Sequence, residues 1–319
     1  MKLTTNGRRL SARMIVLSLL ALIAVSTLAV APAHAQGPTF RKPQSPQSPH
    51  SPVSSDGVLP VAKAGGNGRM TQAFAGTGYT SGSGINKFAL DFGVGRKVAG
   101  PVSPESVIGA DGRYQITSTT AFPYRAIVHI TSSIGGCSGW MISANTVATA
   151  GHCIYGNSGW ATNVQVFPGR SGSSTPYGSC SATRLFAPSG WTSSRSRDYD
   201  YGAIKLNCSI GNTVGWFGMR VSSSSLTGQA SYTAGYPGDK AYATMWRSDD
   251  SVRITQTRRL YYANDTFGGQ SGSIVWNSVS GCSTCAIAIH AYGVDGTGYN
   301  GGTRIIQEVY NNLTTWANS

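Results

Sequence analysis

The sequence predicts an all-β fold, a barrel or sandwich of short strands that ends in one α-helix. Short apolar runs rich in β-branched residues recur between turn-forming residues, as expected of strands. Their positions are 126–130, 146–150, 164–167, 203–206, 273–276 and 286–289. At the end of the chain, apolar residues recur every three or four positions, which predicts a helix. These residues are Ile306, Val309, Leu313 and Trp316.

The composition agrees with a β-rich secreted protein. Charged residues make up only 12% of the 319 positions, and the chain has 41 glycines. The net charge is +13, but residues 106–319 contain 14 basic and 9 acidic residues that are scattered rather than clustered. This distribution argues against a nucleic-acid-binding surface, so no nucleic-acid partner is expected.

Residues 1–35 are predicted to be a secretory signal peptide. Basic residues precede the apolar run 14–30, and Ala33 and Ala35 supply the small side chains that signal peptidase requires. A transmembrane anchor is the alternative, but the run is short for a membrane span and is diluted by Ser18 and Ser26. We therefore expect cleavage after Ala35, an extracellular protein and no membrane association after cleavage.

Residues 36–105 differ in composition from the remainder of the chain. A Ser-Pro repeat spans 44–52, and residues 61–105 are rich in glycine and polar residues. Such a segment cannot bury enough apolar surface to fold by itself, so it is predicted to be largely disordered, with His50 in solvent.

Six cysteines all lie after residue 136, which predicts three disulfides in a secreted protein. They are Cys137, Cys153, Cys180, Cys208, Cys282 and Cys285. Six cysteines allow 15 pairings, which the spacing leaves open. The pair at 282 and 285 could instead be a redox motif, but no thioredoxin-like pattern surrounds it. A zinc site would need further ligands nearby, and none is evident in the sequence.

The strongest chemical signal is the segment GGQSGS at 268–273. Glycines on both sides of Ser271 permit a sharp turn that exposes the hydroxyl group and lets backbone N–H groups converge. Nucleophilic acyl transfer requires both features. Such turns are common in this chain, so the segment alone does not identify an enzyme.

Two further segments could complete a catalytic triad. His152 lies in TAGHC at 149–153, where a disulfide from Cys153 would hold its loop rigid. Asp200 directly precedes an apolar strand, where a partly buried carboxylate could orient the imidazole. Asp198 is the alternative acid, but it lies farther from the strand.

In these motifs, the chain resembles the chymotrypsin-fold serine proteases and, more narrowly, the secreted bacterial glutamyl endopeptidases. The segments that carry the resemblance are TAGHC (149–153), DYGAIKL (200–206), GGQSGS (268–273), SVIG (106–109), PYRAIVHI (123–130), GYPGDK (235–240) and DTFGGQS (265–271). The resemblance covers 106–319. It implies two antiparallel β-barrels with the triad at their interface.

The resemblance also implies the role of each site residue. Ser271 is the nucleophile, His152 the general base and Asp200 its orienting acid, while the N–H groups of Gly269 and Ser271 form the oxyanion hole. The partners are polypeptide substrates. An inactive binding module with a protease fold is the alternative, although such proteins usually lack a triad member.

The resemblance assigns Thr266 and His290 to the S1 pocket, which would bind glutamate at P1. In some glutamyl endopeptidases the freed amino group at the position of Ser106 also helps to neutralise the substrate carboxylate, so Ser106 is a third candidate for this pocket, and the sequence leaves open whether its amine enters it. A hydroxyl group and an imidazole can donate hydrogen bonds to a carboxylate. Asp265 suggests the competing prediction, cleavage after Arg or Lys, because trypsin-like proteases carry their pocket acid at this position.

Glu105 directly precedes the family-like region, so a glutamate-specific protease could release itself by cutting between Glu105 and Ser106. Residues 36–105 would then be a propeptide and 106–319 the mature domain.

The resemblance further implies the disulfides Cys137–Cys153 and Cys282–Cys285, which leaves Cys180 and Cys208 as a pair not expected in the relatives. Ile274 also departs from the family, where proline is usual. No cofactor is expected. A structural calcium ion has no supporting motif, and a monomer is predicted.

Overall fold

A computed structural model describes residues 48–60, 70–78 and 106–319, which lie within one compact unit. The predicted signal peptide lies outside the described residues, as does most of the predicted propeptide. The strands are β1 (Pro52–Ser54), β2 (Met70–Thr71), β3 (Tyr114–Gln115), β4 (Ile127–Ser132), β5 (Gly135–Ser143), β6 (Thr146–Thr149), β7 (Tyr155–Gly156), β8 (Gly159–Trp160), β9 (Gln165–Pro168), β10 (Cys180–Pro188), β11 (Gly202–Leu206), β12 (Gly218–Arg220), β13 (Ala230–Gly235), β14 (Trp246–Thr255), β15 (Arg259–Tyr262), β16 (Ile274–Val279), β17 (Cys282–Tyr292) and β18 (Asn300–Arg304).

The helices are few and short. The α-helices are α1 (Ser189–Ser194), α2 (Gly211–Val214) and α3 (Gln307–Asn318), and the 3-10 turns are Tyr124–Ala126, Gly151–Cys153 and Arg197–Tyr199. None of the helices among the described residues is long and apolar enough to cross a membrane.

The strands form two closed antiparallel barrels of six strands each. The first has the order β4-β5-β6-β11-β10-β9, and the pairing of β9 with β4 closes it. The second has the order β13-β14-β15-β18-β17-β16, and the pairing of β16 with β13 closes it. Closure leaves no unpaired edge within either ring. The all-β, two-barrel prediction is confirmed.

The core is formed by the apolar runs that the sequence marks as strands. Ile127, Val147, Ile204 and Ile289 are completely buried. Consecutive residues of β4 and β6 are buried, so both faces of these strands are covered by other parts of the protein. The predicted C-terminal helix is α3. Its Val309, Leu313 and Trp316 are buried, and the Trp316 ring stacks on Phe186 of the first barrel at 5.6 Å.

The described parts of the predicted propeptide are ordered, contrary to the expectation for that region. β1 pairs with β10 of the first barrel, and β2 pairs with β12, which itself lies parallel to β17 of the second barrel. His50 is only partly exposed, and its Nδ1 lies 2.9 Å from the hydroxyl group of Tyr201. These segments do not need a core of their own, because the domain supplies the surface on which they pack.

Candidate active site

Strand pairing brings His152 and Asp200 together. β6 and β11 are antiparallel, with Thr149 opposite Gly202. His152 follows the end of β6 in the 3-10 turn Gly151–Cys153, and Asp200 shortly precedes β11. In an antiparallel pair, the end of one strand lies beside the start of the other. The register therefore places these two side chains at the same end of the barrel.

The Asp200 carboxylate binds His152 through both of its oxygens. Oδ2 lies 2.7 Å from the imidazole Nδ1, and Oδ1 accepts the backbone N–H of His152 at 2.9 Å. Asp200 is completely buried. Because a carboxylate only accepts, Nδ1 must carry the proton of this bond, which leaves Nε2 as the proton-accepting nitrogen of a neutral ring. This is the tautomer that a general base requires.

Two further residues hold Asp200, and the sequence analysis missed both. The Tyr292 hydroxyl group donates to Oδ2, and the Thr303 hydroxyl group donates to the Asp200 backbone carbonyl at 2.9 Å. Tyr292 lies on β17 and Thr303 on β18 of the second barrel. Nothing local in the sequence connects them to Asp200, because only the packing of one barrel against the other makes these contacts.

The turn that carries Ser271 depends on glycine. Gly272 has φ +85°, and a Cβ atom there would lie 2.1 Å from Thr149 Oγ1, so no larger residue fits without displacement. The Gly272 N–H donates to the His290 carbonyl at 2.8 Å, and the His290 N–H donates to the Ser273 carbonyl at 2.9 Å. These bonds attach the turn to β17, so Ser271 is held between the two barrels.

Ser138 of the first barrel is a third residue that the sequence analysis missed, and it bridges the two barrels. Its N–H donates to the Ser271 carbonyl at 2.9 Å, and its hydroxyl group donates to the Gly269 carbonyl at 2.9 Å. The same hydroxyl oxygen accepts the Tyr236 N–H at 2.9 Å. Ser138 adjoins Cys137, whose disulfide reaches the His152 turn. One strand, β5, therefore supports both the histidine and the serine.

The two predicted oxyanion N–H groups belong to fixed peptide planes. The Gly268 carbonyl accepts the Gly238 N–H at 2.7 Å, and the Gln270 carbonyl accepts the Ser273 N–H at 2.8 Å. In a trans peptide, the N–H points opposite to the carbonyl. The N–H of Gly269 therefore points away from Gly238, and the N–H of Ser271 points away from Ser273.

Thr266 and His290, assigned to the S1 pocket by resemblance, are both completely buried. Among the described residues, the Thr266 hydroxyl group has no hydrogen-bond partner. His290 Nδ1 lies 2.7 Å from the Tyr262 hydroxyl group. Burial, with a smaller contribution from the charge of His152, lowers the pKa of His290 to about 3. His290 is therefore neutral at ordinary pH and would act as a hydrogen-bonding group.

Ser106, the third residue assigned to this pocket, lies directly against Thr266. The Thr266 N–H donates to the Ser106 carbonyl at 3.3 Å. Buried Asn300, which the sequence analysis missed, binds both sides of Ser106: its Nδ2 donates to the carbonyl at 2.6 Å, and its Oδ1 accepts the N–H at 3.2 Å. The structure thus brings Ser106 to the segment that precedes Ser271.

Asp265 is occupied by backbone groups. Its Oδ1 accepts the Ile108 N–H at 2.7 Å, its Oδ2 accepts the Gly112 N–H at 2.7 Å, and the residue is only 5% exposed. A carboxylate engaged in this way anchors the segment that follows Ser106. It is not placed as a free acid for a cationic substrate side chain.

Three disulfides are present, and they pair Cys137 with Cys153, Cys180 with Cys208 and Cys282 with Cys285. The two pairings implied by the resemblance are found, and so is the pairing of Cys180 with Cys208, which had followed by elimination. The first ties β5 to the turn that carries His152.

Comparison with known proteins identifies the family. Residues 113–310, more than half of the chain, match the trypsin family. The chain belongs to the trypsin family of serine proteases. A glutamyl endopeptidase of Bacillus licheniformis is 48% identical to this protease over 93% of its length and 94% of the relative. A glutamyl endopeptidase of Staphylococcus epidermidis is 28% identical over 60% of the chain and 68% of the relative. The resemblance inferred from the motifs is confirmed.

Solved structures agree with this assignment. A Glu endopeptidase in complex with MPD has a TM-score of 0.63 and 32% identity to this trypsin-family protease, and it covers 67% of this chain and 100% of its own. A protease from Arthrobacter nicotinovorans, at 21% identity and a TM-score of 0.52, supports the fold alone.

One relative carries a name of a different class. An extracellular metalloprotease of Bacillus subtilis is 49% identical over 68% of this chain and 71% of the relative. In the described part of the chain, the one cluster with metal-ligand types is Cys137, His152 and Cys153. The two cysteines are bonded to each other, and a disulfide offers no thiolate for a metal ion. This donor set does not fit a catalytic metal.

Proposed function

We propose that this serine protease is a secreted endopeptidase that uses Ser271, His152 and Asp200 to cut peptide bonds after glutamate, and that it is made as a zymogen cleaved after Glu105. One observation carries the catalytic part. The buried Asp200 carboxylate accepts hydrogen bonds from both the ring and the backbone of His152. The ring proton is therefore held on Nδ1, and the unprotonated Nε2 can act as a base.

In the proposed reaction, His152 Nε2 removes the proton of Ser271 Oγ while Oγ attacks the scissile carbonyl carbon. The N–H groups of Gly269 and Ser271 stabilise the oxyanion that forms. His152 then delivers the proton to the leaving amine as the carbon–nitrogen bond breaks. Water, activated by the same imidazole, hydrolyses the acyl-enzyme. Asp200 stays ionised throughout and stabilises the imidazolium.

Specificity for glutamate is supported by the chemistry of the assigned pocket. The Thr266 hydroxyl group is buried with no hydrogen-bond partner among the described residues, a costly arrangement that a substrate carboxylate would relieve. His290 is neutral, so it would bind the carboxylate as a hydrogen-bond donor. The name of the Bacillus licheniformis relative agrees with this preference. Both oxygens of the Asp265 carboxylate accept backbone N–H groups, so cleavage after Arg or Lys is less well supported than cleavage after Glu.

The distribution of glutamate supports both the specificity and the processing site. The whole chain has only two glutamates, Glu105 and Glu308. Glu308 lies in the first turn of α3, whereas proteases prefer exposed irregular segments. A protease that cuts after glutamate would therefore release its own domain at Glu105 and leave the rest intact. A protease that cuts after Arg or Lys would find 25 sites in its own chain.

The decisive experiment compares peptides that differ only at P1, with Glu, Gln, Asp, Arg and Phe. We expect kcat/KM to be highest for Glu. The Gln peptide has nearly the same shape at P1 but no charge, so it shows whether the pocket recognises the negative charge. Ser271→Ala is the inactive control. Thr266→Val tests the pocket, because valine matches the shape of threonine but has no hydroxyl group. This variant should lose discrimination between Glu and Gln but still react with a serine-directed inhibitor.

Other outcomes would contradict defined parts of the proposal. Preference for Arg, lost in Asp265→Asn, would assign the pocket to Asp265 and leave the triad intact. A folded chain that begins at Ser106, reacts with no serine-directed inhibitor and cuts no peptide would be a binding module. Loss of activity with a chelator, without loss with a serine-directed inhibitor, would favour the chemistry named for the Bacillus subtilis relative.

A further inference from the structure

Two segments upstream of Ser106 lie on the outside of the two barrels. The first, residues 48–60, contains β1 and extends β10 of the first barrel. The second, residues 70–78, contains β2 and extends β12 beside the second barrel. We call them the first and second anchors. Both belong to the piece of chain that the proposed cleavage after Glu105 separates from the catalytic domain.

The first anchor is bound by backbone and side chains. The carbonyls of Pro49 and Ser51 accept the N–H groups of Gly190 and Ser189, both at 2.8 Å. Ser55 adds a reciprocal pair with Leu185: its N–H donates to the Leu185 carbonyl at 2.9 Å, and its hydroxyl oxygen accepts the Leu185 N–H at 3.0 Å. Asp56 also forms an ion pair with Arg184 at 2.6 Å. These bonds span β10 and the start of α1.

His50 connects the first anchor to the residues around Asp200. Its ring packs edge-on against Tyr199 at 4.9 Å and lies 2.9 Å from the Tyr201 hydroxyl group. Asn312 of α3 donates to both the His50 carbonyl, at 2.7 Å, and the Tyr201 hydroxyl group, at 2.8 Å. Tyr199 and Tyr201 flank Asp200 in sequence. The first anchor therefore contacts the loop that carries the proposed catalytic acid.

The second anchor is centred on Phe74. Its N–H and carbonyl exchange hydrogen bonds with the carbonyl and N–H of Trp216, at 2.9 and 2.8 Å, and the two rings lie 4.4 Å apart. The N–H groups of Thr77 and Gly78 donate to the carbonyls of Asn212 and Thr213 on α2. The last carbonyl groups of a helix have no hydrogen-bond partner within the helix, and here the second anchor supplies the donors.

From these contacts we infer that the propeptide remains bound to the catalytic domain after cleavage at Glu105, as a two-point non-covalent clamp on both barrels. The inference rests on the proposed processing. The nine residues 61–69 join the two anchors. When either anchor dissociates, the anchor that stays bound keeps the dissociated one at high local concentration, so that it rebinds readily. Residues 36–104 contain no glutamate, so a glutamate-specific protease would not degrade the clamp.

Co-elution of the cut fragment with the domain tests this inference. Wild-type protein is allowed to process, then separated by size-exclusion chromatography at micromolar concentration without denaturant, and each peak is analysed by intact mass. We expect the fragment that ends at Glu105 and the domain that begins at Ser106 in one peak at a 1:1 ratio. Separate elution of an intact fragment would overturn the inference.

A second preparation separates this test from the proposed specificity. In the Ser271→Ala chain, a recognition sequence for an unrelated protease is inserted between Glu105 and Ser106, and the cut is made with that protease. If wild type does not cut after Glu105, the proposed processing is wrong, but this preparation still decides whether the fragment stays bound. Co-elution supports the clamp, and separation refutes it.

Variants of the anchors give a graded readout in the same preparation. His50→Ala and Phe74→Ala each remove one anchor's principal side chain, so each should increase the dissociation rate of the fragment at least tenfold, and the double variant should elute apart. Val58→Ala and Leu59→Ala are matched controls, because these apolar side chains are 54% and 62% exposed. Equal dissociation rates for anchor and control variants would contradict the assigned contacts.

Discussion

The Tyr292 hydroxyl group donates a hydrogen bond to the buried carboxylate of Asp200 and so joins the second barrel to the proposed triad. Tyr292 lies two residues after His290 on the same strand, β17. One strand therefore carries both a residue of the proposed S1 pocket and a group that positions Asp200, the proposed third member of the triad. The Arg197 guanidinium carbon lies over the Tyr292 ring, 3.9 Å from its centre.

Replacement of this hydroxyl group should impair catalysis without removing a triad member. In Tyr292→Phe, we expect kcat/KM to fall about 10-fold, because a hydrogen bond to a charged group is worth roughly 1.5–3 kcal/mol. With one donor fewer, Asp200 stabilises the imidazolium more, so the acid limb of the kcat/KM–pH profile should move to higher pH. Tyr114→Phe is the control, since Tyr114 also donates to an acid, Asp249, but on the surface. Equal profiles for the two variants would contradict a positioning role for Tyr292.

The triad residues should show unequal losses when they are replaced singly. Asp200→Asn should reduce kcat by about 10⁴-fold, because the amide cannot hold the required imidazole tautomer. Ser271→Ala should leave only the residual catalysis of the oxyanion groups. Steady-state kinetics of purified variants measures both losses, and circular dichroism verifies folding. A Ser271→Ala protein that retained full activity would place the nucleophile elsewhere.

The disulfides Cys137–Cys153 and Cys282–Cys285 close loops of different length, so they should contribute unequally to the free energy of unfolding. Cys137 and Cys153 are 16 residues apart, and a loop of this size corresponds to about 3 kcal/mol in the chain-entropy model. Cys282 and Cys285 are only 3 apart, so their bond should contribute less. Denaturant unfolding of the double alanine variants in the Ser271→Ala background measures this difference. In protein that retains Ser271, loss of the first bond should also lower kcat, because this disulfide supports the His152 turn. Equal effects of the two deletions on stability and kcat would contradict this assignment.

Buried His290 should make stability depend on pH. Its pKa is lowered by burial to about 3, below the ordinary value of 6.5, so the folded state favours the neutral ring. Its contribution is fully present above pH 6.5 and is lost as the pH falls from 6.5 toward 3. The free energy of unfolding of the Ser271→Ala protein should therefore fall over this interval. His290→Gln should flatten that part of the curve, and an unchanged slope would contradict a buried neutral imidazole.

Asp265 is expected to serve structure rather than specificity. Asp265→Asn removes one of the two oxygens that accept the backbone N–H groups of Ile108 and Gly112. Loss of one hydrogen bond should lower the free energy of unfolding by about 1 kcal/mol. In a domain of this size, the melting temperature should then fall by a few degrees. The ratio of kcat/KM for Glu and Arg peptides should not change. A rise in that ratio through loss of Arg cleavage would instead support a pocket role.

Local apolar runs predicted six of the twelve barrel strands, β4, β6, β9, β11, β16 and β17, together with the terminal helix. β14 is one of the six barrel strands that were not predicted, and its sequence WRSDDSVRIT is mostly polar. β14 pairs with β13 and β15 through backbone hydrogen bonds, which every residue type except proline can form in full, so this pairing leaves no pattern in the side chains. The pairing of β1 and β2 with the domain was not predicted for a related reason, since composition measures whether a segment can fold alone and not whether another surface can hold it.

The sequence by itself determined the family and the residues proposed for catalysis, because both are carried by short motifs whose chemistry is local, and the two barrels followed from the resemblance to that family. Only the tertiary structure decided what surrounds them. Tyr292 reaches Asp200, Ser138 joins the two barrels and Asn300 holds Ser106 through contacts between residues far apart in the chain. The role of Asp265 was decided in the same way, since its neighbours and not its position determine whether a carboxylate is free to bind substrate. Such contacts leave no local periodicity or motif, so folding must bring the partners together before they can be recognised.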